Sequence, residues 1–134
     1  MFFNLADKKL QSWINWDYNY DEYSWYNADG SRNLTRIIGY VRPYPQAVAG
    51  IPKLIKFDPQ TLDFKMIYDA NAKITSPTEI FVPRLRYKSG YNVTVESDLK
   101  YHVEHSDQTV LIYIGAKPDT ESSIVKVIII QAYL

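Results

Sequence analysis

The 134-residue sequence contains no cysteine. That excludes a disulfide framework, a thiolate metal site and a cysteine nucleophile. Secreted domains of this size do not need disulfides, so the absence favours a reducing compartment only weakly. A surplus of one charge is also missing: 15 Lys+Arg stand against 15 Asp+Glu. Nucleic acid and anionic membranes both call for basic patches, so no nucleic-acid partner is expected. There are only two histidines, His102 and His105. On a strand they face opposite sides, with no tight carboxylate cluster nearby, so neither a metal site nor a cofactor is expected. Apolar runs such as Val127-Ile128-Ile129-Ile130 are strand-sized, far below the roughly 18 residues of a membrane span. Residues 1–9 lack the basic region and following apolar run of a signal peptide. The sequence as it stands therefore predicts no export signal and no transmembrane segment.

What the chain has in quantity is aromatic side chains, with 12 Tyr and 3 Trp. Together with 46% hydrophobic residues they argue against disorder. Tyr suits half-buried sheet faces and sugar-stacking surfaces alike, so the count does not choose between them. The character of the sequence changes near Pro43. Before it, residues 10–16 read as one strand, and residues 18–32 as a polar, aromatic loop closing on Asp29-Gly30-Ser31. Residues 33–40 read as a helix, because Leu34, Ile37, Ile38 and Val41 repeat at three, four and seven and Arg42-Pro43 stops the pattern. One strand, one loop and one helix cannot bury a core, so this stretch must pack on something else. Its apolar strand and helix, if isolated, predict self-association.

After Pro43, strands follow at turn spacing. Residues 53–58 put Ile55 and Phe57 on one face, Asp58-Pro59-Gln60-Thr61 turns the chain, and residues 63–69 return with Phe64, Met66 and Tyr68 alternating against charged neighbours. Further strands are expected over 78–83, 91–97 (Tyr91, Val93 and Val95 inward), 100–105, 109–115 and 124–132. The last two are apolar on both faces, as central strands of packed sheets are. The fold class implied is mainly β: a seven- to eight-stranded antiparallel β-sandwich.

Two segments resemble a known family. Ser12-Trp13-Ile14-Asn15-Trp16-Asp17-Tyr18 resembles the eighth barrel strand of glycoside hydrolase family 5. Arg42-Pro43-Tyr44-Pro45-Gln46-Ala47-Val48-Ala49-Gly50, followed by Phe57-Asp58-Pro59, resembles the passage from barrel to C-terminal sandwich in endoglycoceramidases. Pro83-Arg84-Leu85-Arg86-Tyr87 with Gly90-Tyr91 is similar to that sandwich as well. The resemblance implies that residues 1–42 are the remnant of a (β/α)8 barrel (eighth strand and helix) and residues 43–134 the C-terminal β-sandwich. It also implies a retaining hydrolase of the glycan–ceramide or a related glycolipid bond, with a glycosphingolipid bound through the barrel. The full-length parent is then extracellular, lysosomal or otherwise in the secretory pathway. Such chemistry needs two carboxylates about 5–5.5 Å apart. The family's are Glu in Asn-Glu-Pro-like and Thr-Glu-Phe/Trp-Gly-like settings. Here there is no Asn-Glu pair, and Thr78-Glu79 and Thr120-Glu121 are followed by Ile80 and Ser122. No catalytic residue is therefore expected in this chain, and Met1 looks internal to a longer protein.

The resemblance makes Trp16 the leading site residue, since barrel enzymes carry their sites at the C-terminal ends of strands. The resemblance implies that its indole lines the sugar subsite next to the cleaved bond; the plainer alternative is a core residue. Period two turns Trp13 to the other side, where it packs. Asn15, Asp17 and Tyr18 share the rim with Trp16 as candidate substrate-binding residues, against the blander and favoured reading of loop solvation. Tyr20, Tyr23, Trp25 and Tyr26 suit either a lipid-accepting surface or an aromatic loop between barrel and sandwich. Arg42 fits a structural role, capping helix carbonyls or pairing across the domain interface. Asn33-Leu34-Thr35 and Asn92-Val93-Thr94 are N-glycosylation sequons, which makes Asn33 and Asn92 candidate acceptors. A stand-alone carbohydrate- or lipid-binding sandwich and a purely structural domain without catalysis are the rival readings.

Overall fold

The computed structural model describes residues 2–14, 24–115 and 122–131. Two short helices, α1 (Phe2–Lys8) and α2 (Leu34–Tyr40), precede eight strands: β1 (Tyr44–Ala47), β2 (Gly50–Phe57), β3 (Phe64–Asn71), β4 (Thr78–Phe81), β5 (Tyr91–Ser97), β6 (Tyr101–Ser106), β7 (Thr109–Ile114) and β8 (Ser122–Gln131). The strands form two four-stranded sheets, ordered β1-β4-β7-β6 and β2-β3-β8-β5, with every pairing antiparallel.

The sandwich follows from the alternation in the sequence. Phe64, Met66 and Tyr68 of β3 and Val125, Val127 and Ile129 of β8 are fully buried. They share one core with Ile80 of β4 and Val110 and Ile112 of β7. Side chains of this size contribute roughly 1.5–3 kcal/mol each when buried, so the two inner faces dominate the stability. Tyr91, Val93 and Val95 point inward from β5 as their alternation implies. Both strands that are apolar on two faces, β7 and β8, take inner positions in their sheets.

The turn after β2 is wider than a simple four-residue turn. Asp58 N–H donates to Asp63 C=O at 2.9 Å, Leu62 N–H donates to Asp58 C=O at 2.8 Å, and the Asp58 carboxylate accepts from Gln60 N–H at 2.8 Å. Leu62 takes a φ of 64° to close it.

Three elements differ from the expectations. The strand expected over residues 10–16 is not formed in its described part: residues 11–14 have no ladder, and Ile14 is 94% exposed. A strand exists by pairing, and none of the described strands pairs with this segment. In its place α1 ends in a Schellman-type cap, with Gln11 N–H bonded to Ala6 C=O at 2.9 Å and Leu10 N–H to Asp7 C=O at 3.0 Å. Leu10 occupies the left-handed position, φ 52°, that glycine usually fills. At seven residues α1 is too short to print a helical period on the sequence. No strand was expected at β1, which begins directly after the Pro43 that stops the helical pattern. As an edge strand it tolerates proline, and its register breaks between Pro45 and Ala47.

Gly50 starts β2 with φ 153°, and a Cβ there would lie 2.0 Å from the Asp69 carbonyl oxygen. The Gly50→Ala variant should lose about 3 kcal/mol of stability, from backbone strain plus the displaced strand. Urea denaturation measures it; an unchanged midpoint would mean that the β2–β3 pair shifts at no cost.

Candidate functional site at the junction of helices and sandwich

Asn33 starts α2 by accepting the Arg36 N–H on its side-chain oxygen at 3.0 Å. Ahead of it, the Asp29 carboxylate takes the Ser31 N–H at 2.9 Å, and Tyr26 bridges Arg32 across the turn. The Arg36 guanidinium donates to Ser24 C=O at 2.9 Å. These local bonds bring Trp25 against Tyr40, with ring centroids 5.6 Å apart. Tyr40 also meets Phe3 at 5.5 Å and Trp13 at 6.2 Å, and Phe3 meets Trp13 at 4.5 Å. Phe3, Trp13, Trp25 and Tyr40 thus form one aromatic cluster that holds α1, the 11–14 segment and α2 together.

Arg42 fastens this cluster to the sandwich. It is 8% exposed and pairs with Asp7 of α1, while its guanidinium lies 5.6 Å from the Phe3 ring centre and 5.4 Å from that of Phe57. Capping of the α2 carbonyls, one of the two roles expected for Arg42, falls to Arg86. That residue donates to Val41 C=O at 2.8 Å and to Ile38 C=O, and covers the other contact of Phe57 at 5.8 Å. No local pattern gives Arg86 or Asp7 these roles, because their partners lie 48 and 35 residues away. Burial pushes the Asp7 carboxyl up and Arg42 down, in each case against the attraction of the partner. Burial also lowers Arg86, and Arg42 adds to that. The Tyr87 phenol is pushed well up by burial and donates to Leu62 C=O at 2.6 Å.

Two open grooves flank the junction. One, about 470 Å³, is lined by Asp7, Leu10, Trp13, Tyr44 and Ile55; the other, about 300 Å³, by Trp13, Tyr40, Tyr44, Phe81 and Leu85. Trp13 and Tyr44 are common to both. Trp13 packs as expected, though not from a strand. Trp16, Asn15, Asp17 and Tyr18 lie outside the described residues, as do Tyr20 and Tyr23. Thr78 is a core residue whose hydroxyl accepts the Ala49 N–H at 3.0 Å, and Glu79 is half-buried beside it on β4. His102 lies 3.2 Å from Glu104, whereas His105 faces Tyr91. Among the described residues, no three His, Cys, Asp or Glu side chains gather as metal ligands, and no helix is long and apolar enough to cross a membrane. The arrangement can hold an N-terminal segment rigidly against a sandwich; the described carboxylate at its centre, Asp7, is neutralised by Arg42.

Residues 42–127 match the Glycoside hydrolase family 5 C-terminal domain. The chain is 48% identical over 56 residues to an endoglycoceramidase I of Rhodococcus hoagii, covering 42% of this chain and 11% of that protein. It is 30% identical over 122 residues to an endoglycoceramidase of Hydra vulgaris, covering 84% of this chain and 23% of that one. It therefore spans less than a quarter of the length of either relative. Among solved structures, endo-glycoceramidase II from a Rhodococcus species superposes on 98% of this chain and 28% of its own, with a TM-score of 0.70 at 23% identity. That likeness is one of fold.

Replacing Asp7 by Ala should destabilise the chain by about 3 kcal/mol, because a buried guanidinium is left without its counter-charge. Replacing Arg42 by Met leaves Asp7 buried and unattracted, so its carboxyl rises further. A raised carboxyl binds its proton more tightly folded than unfolded, so stability is gained as pH falls through the folded value and lost as it rises. Thermal melts of Arg42→Met against the parent should show a deficit that shrinks as pH falls from neutral toward the ordinary carboxylate range. A deficit constant across that range would show that Asp7 reaches solvent once Arg42 is gone.

Proposed function

The chain belongs to the glycoside hydrolase family 5 C-terminal domain family, and on that premise we propose that it is the C-terminal part of a retaining glycosidase acting on the glycan–ceramide bond, or a related O-glycosyl bond, of glycolipids. The observation that carries this reading is the similarity to the Hydra vulgaris endoglycoceramidase. It takes in 84% of this chain, too much to stop at the sandwich, and so runs across the Arg42-Pro43 junction. In this reading residues 1–42 are the end of a catalytic barrel and residues 43–134 its C-terminal sandwich. The clamp of Arg42 on Asp7 and Phe57 supports a bracing role, in which the sandwich fixes the barrel's last elements and helps present the glycolipid.

Trp16 is then the sugar-stacking residue beside the scissile bond, and Asn15, Asp17 and Tyr18 hydrogen-bond at the same rim. The two catalytic Glu belong to the preceding barrel, and this chain by itself releases no head group. A stand-alone sugar-binding sandwich calls for an exposed aromatic face, but Phe64, Tyr68 and Tyr87 are buried in the core. Passage of the parent through the secretory pathway is part of the proposal.

The transcript upstream of the Met1 codon tests it. The frame should continue into a barrel with two Glu, one in an Asn-Glu-Pro-like and one in a Thr-Glu-Phe/Trp-Gly-like setting; a stop codon there sinks the reading. In the longer product, Trp16→Ala should lower kcat/KM on a glycosylceramide by about tenfold or more, the equivalent of about 1.4 kcal/mol, with no change in melting temperature. An unaltered kcat/KM would remove Trp16 from the subsite.

A further inference from the structure

Each sheet of the sandwich ends in two edge strands, and an edge strand offers unpaired N–H and C=O groups on which another chain can pair. Three of the four edges carry a device against this. β1 holds Pro45 and a register break after it, and β2 holds Pro52 and a break between Pro52 and Leu54. β6 presents exposed His102, Glu104 and His105. β5 has neither a proline nor a register break, and against the exposed His102, Glu104 and His105 of β6 it carries Glu96 alone. Its seven residues run in unbroken register against β8, from Tyr91 opposite Gln131 to Ser97 opposite Val125, without a proline. Its one charged side chain, Glu96, is engaged by Lys126 Nζ through both carboxylate oxygens, at 2.7 and 2.9 Å. Tyr91, Val93, Thr94 and Val95 are residues that favour strands. This is the edge of the four that invites pairing.

What β5 does carry is the sequon Asn92-Val93-Thr94. Asn92 and Thr94 are exposed and point outward, while Val93 and Val95 pack toward the core. Thr94 stands opposite Ile128, and Ile124, 54% exposed, lies further along the same outward face of β8. The other sequon is placed differently. Asn33 is half-buried, and its side-chain oxygen is engaged at the start of α2.

We propose that Asn92 is an N-glycosylation site and that its glycan guards the β5 edge against strand pairing between copies of the chain. The occupant of this edge is an asparagine-linked oligosaccharide. Its attachment forms a bond from Nδ2 to C1 of the first sugar of a lipid-diphosphate oligosaccharide donor. The sugar–phosphate bond breaks, the lipid diphosphate leaves, and the amide gives up one proton. The attached glycan stands out from the edge near Ile128 of β8, which lies opposite Thr94. The inference rests on the passage through the secretory pathway proposed above, but not on a glycolipid substrate, so the transcript test and the glycan mapping can fail separately.

The test is to secrete the 134-residue chain from eukaryotic cells behind an appended signal peptide, as wild type and with Asn33→Gln. Intact mass and peptide mapping should show glycan on Asn92 in both. In sedimentation over a concentration series, Asn92→Gln and Thr94→Ala, which remove the sequon from either end, should each raise the dimer and higher-order fraction several-fold over the glycosylated chain. Asn92→Gln with Thr94→Lys sets a lysine on the same edge in place of the glycan, and should return association to the wild-type level. A bare Asn92 in the secreted chain overturns the proposal. So does association unchanged by loss of the glycan, or not reversed by the lysine, which would put the contact on another surface. Should one sequon variant fail to fold, the other carries the comparison.

Discussion

The buried pairing of Arg42 with Asp7 is the contact on which the arrangement of the helical segment against the sandwich depends. A guanidinium with 8% exposure has lost most of its hydration, a penalty of several kcal/mol before any partner is counted. The Asp7 carboxylate and the faces of Phe3 and Phe57 supply what replaces the water. Such a pair adds little net stability compared with well-packed apolar residues. What it adds is specificity. An apolar side chain at position 42 would accept α1 in many orientations, whereas a fixed planar donor accepts it only where Asp7 meets the fork and Phe3 meets the face.

Phe57 extends that constraint into the sandwich. It closes β2 next to the turn into β3, is almost wholly buried, and lies between the guanidiniums of Arg42 and Arg86. Arg86 holds the end of α2 by its carbonyls, and the next residue, Tyr87, ties the same loop to Leu62 in the β2–β3 turn. Gln108, in the turn before β7, accepts the Arg84 N–H at 2.9 Å and the Val82 N–H at 2.7 Å, so that β4 and β7 are drawn into the set. The connections from α1 to the far sheet therefore pass through one hairpin tip and one loop. The tip keeps its shape because Leu62 accepts a left-handed backbone and Asp58 bonds three amides of its own turn, those of Gln60, Thr61 and Leu62.

How much of this was legible in the sequence depended on the range of the interaction. Side-chain alternation at 64–68 and 91–95 and the helical repeat of α2 are local, and each was read correctly, as was the two-sheet architecture that the alternation implies. Arg42 was legible as a structural residue because it follows a helix and precedes a proline. Its choice between capping and pairing was not, since that turns on Asp7 and Arg86, whose positions only the folded chain brings near. β1 was hidden by Pro45, a residue that forbids a central strand and permits an edge. The rim residues Trp16, Asn15, Asp17 and Tyr18 came from a family resemblance, not from any periodicity.

The segment 10–14 shows where pattern reading reaches its limit. Its alternation of Leu10, Ser12 and Ile14 with polar and aromatic neighbours is a strand pattern, yet it forms no ladder, and Ile14 projects into solvent. Helices such as α2 close their own hydrogen bonds within a few residues and need a partner only for one face. A strand closes none of its own, so its pattern specifies a neighbour before it specifies a conformation. In β3 that neighbour is present on both sides, and the same kind of alternation yields fully buried Phe64, Met66 and Tyr68. The difference between the two segments therefore lies in their surroundings and not in their residues. Segment 11–14 has no such neighbour among the described strands, and its Trp13 packs on Phe3 and Tyr40 instead.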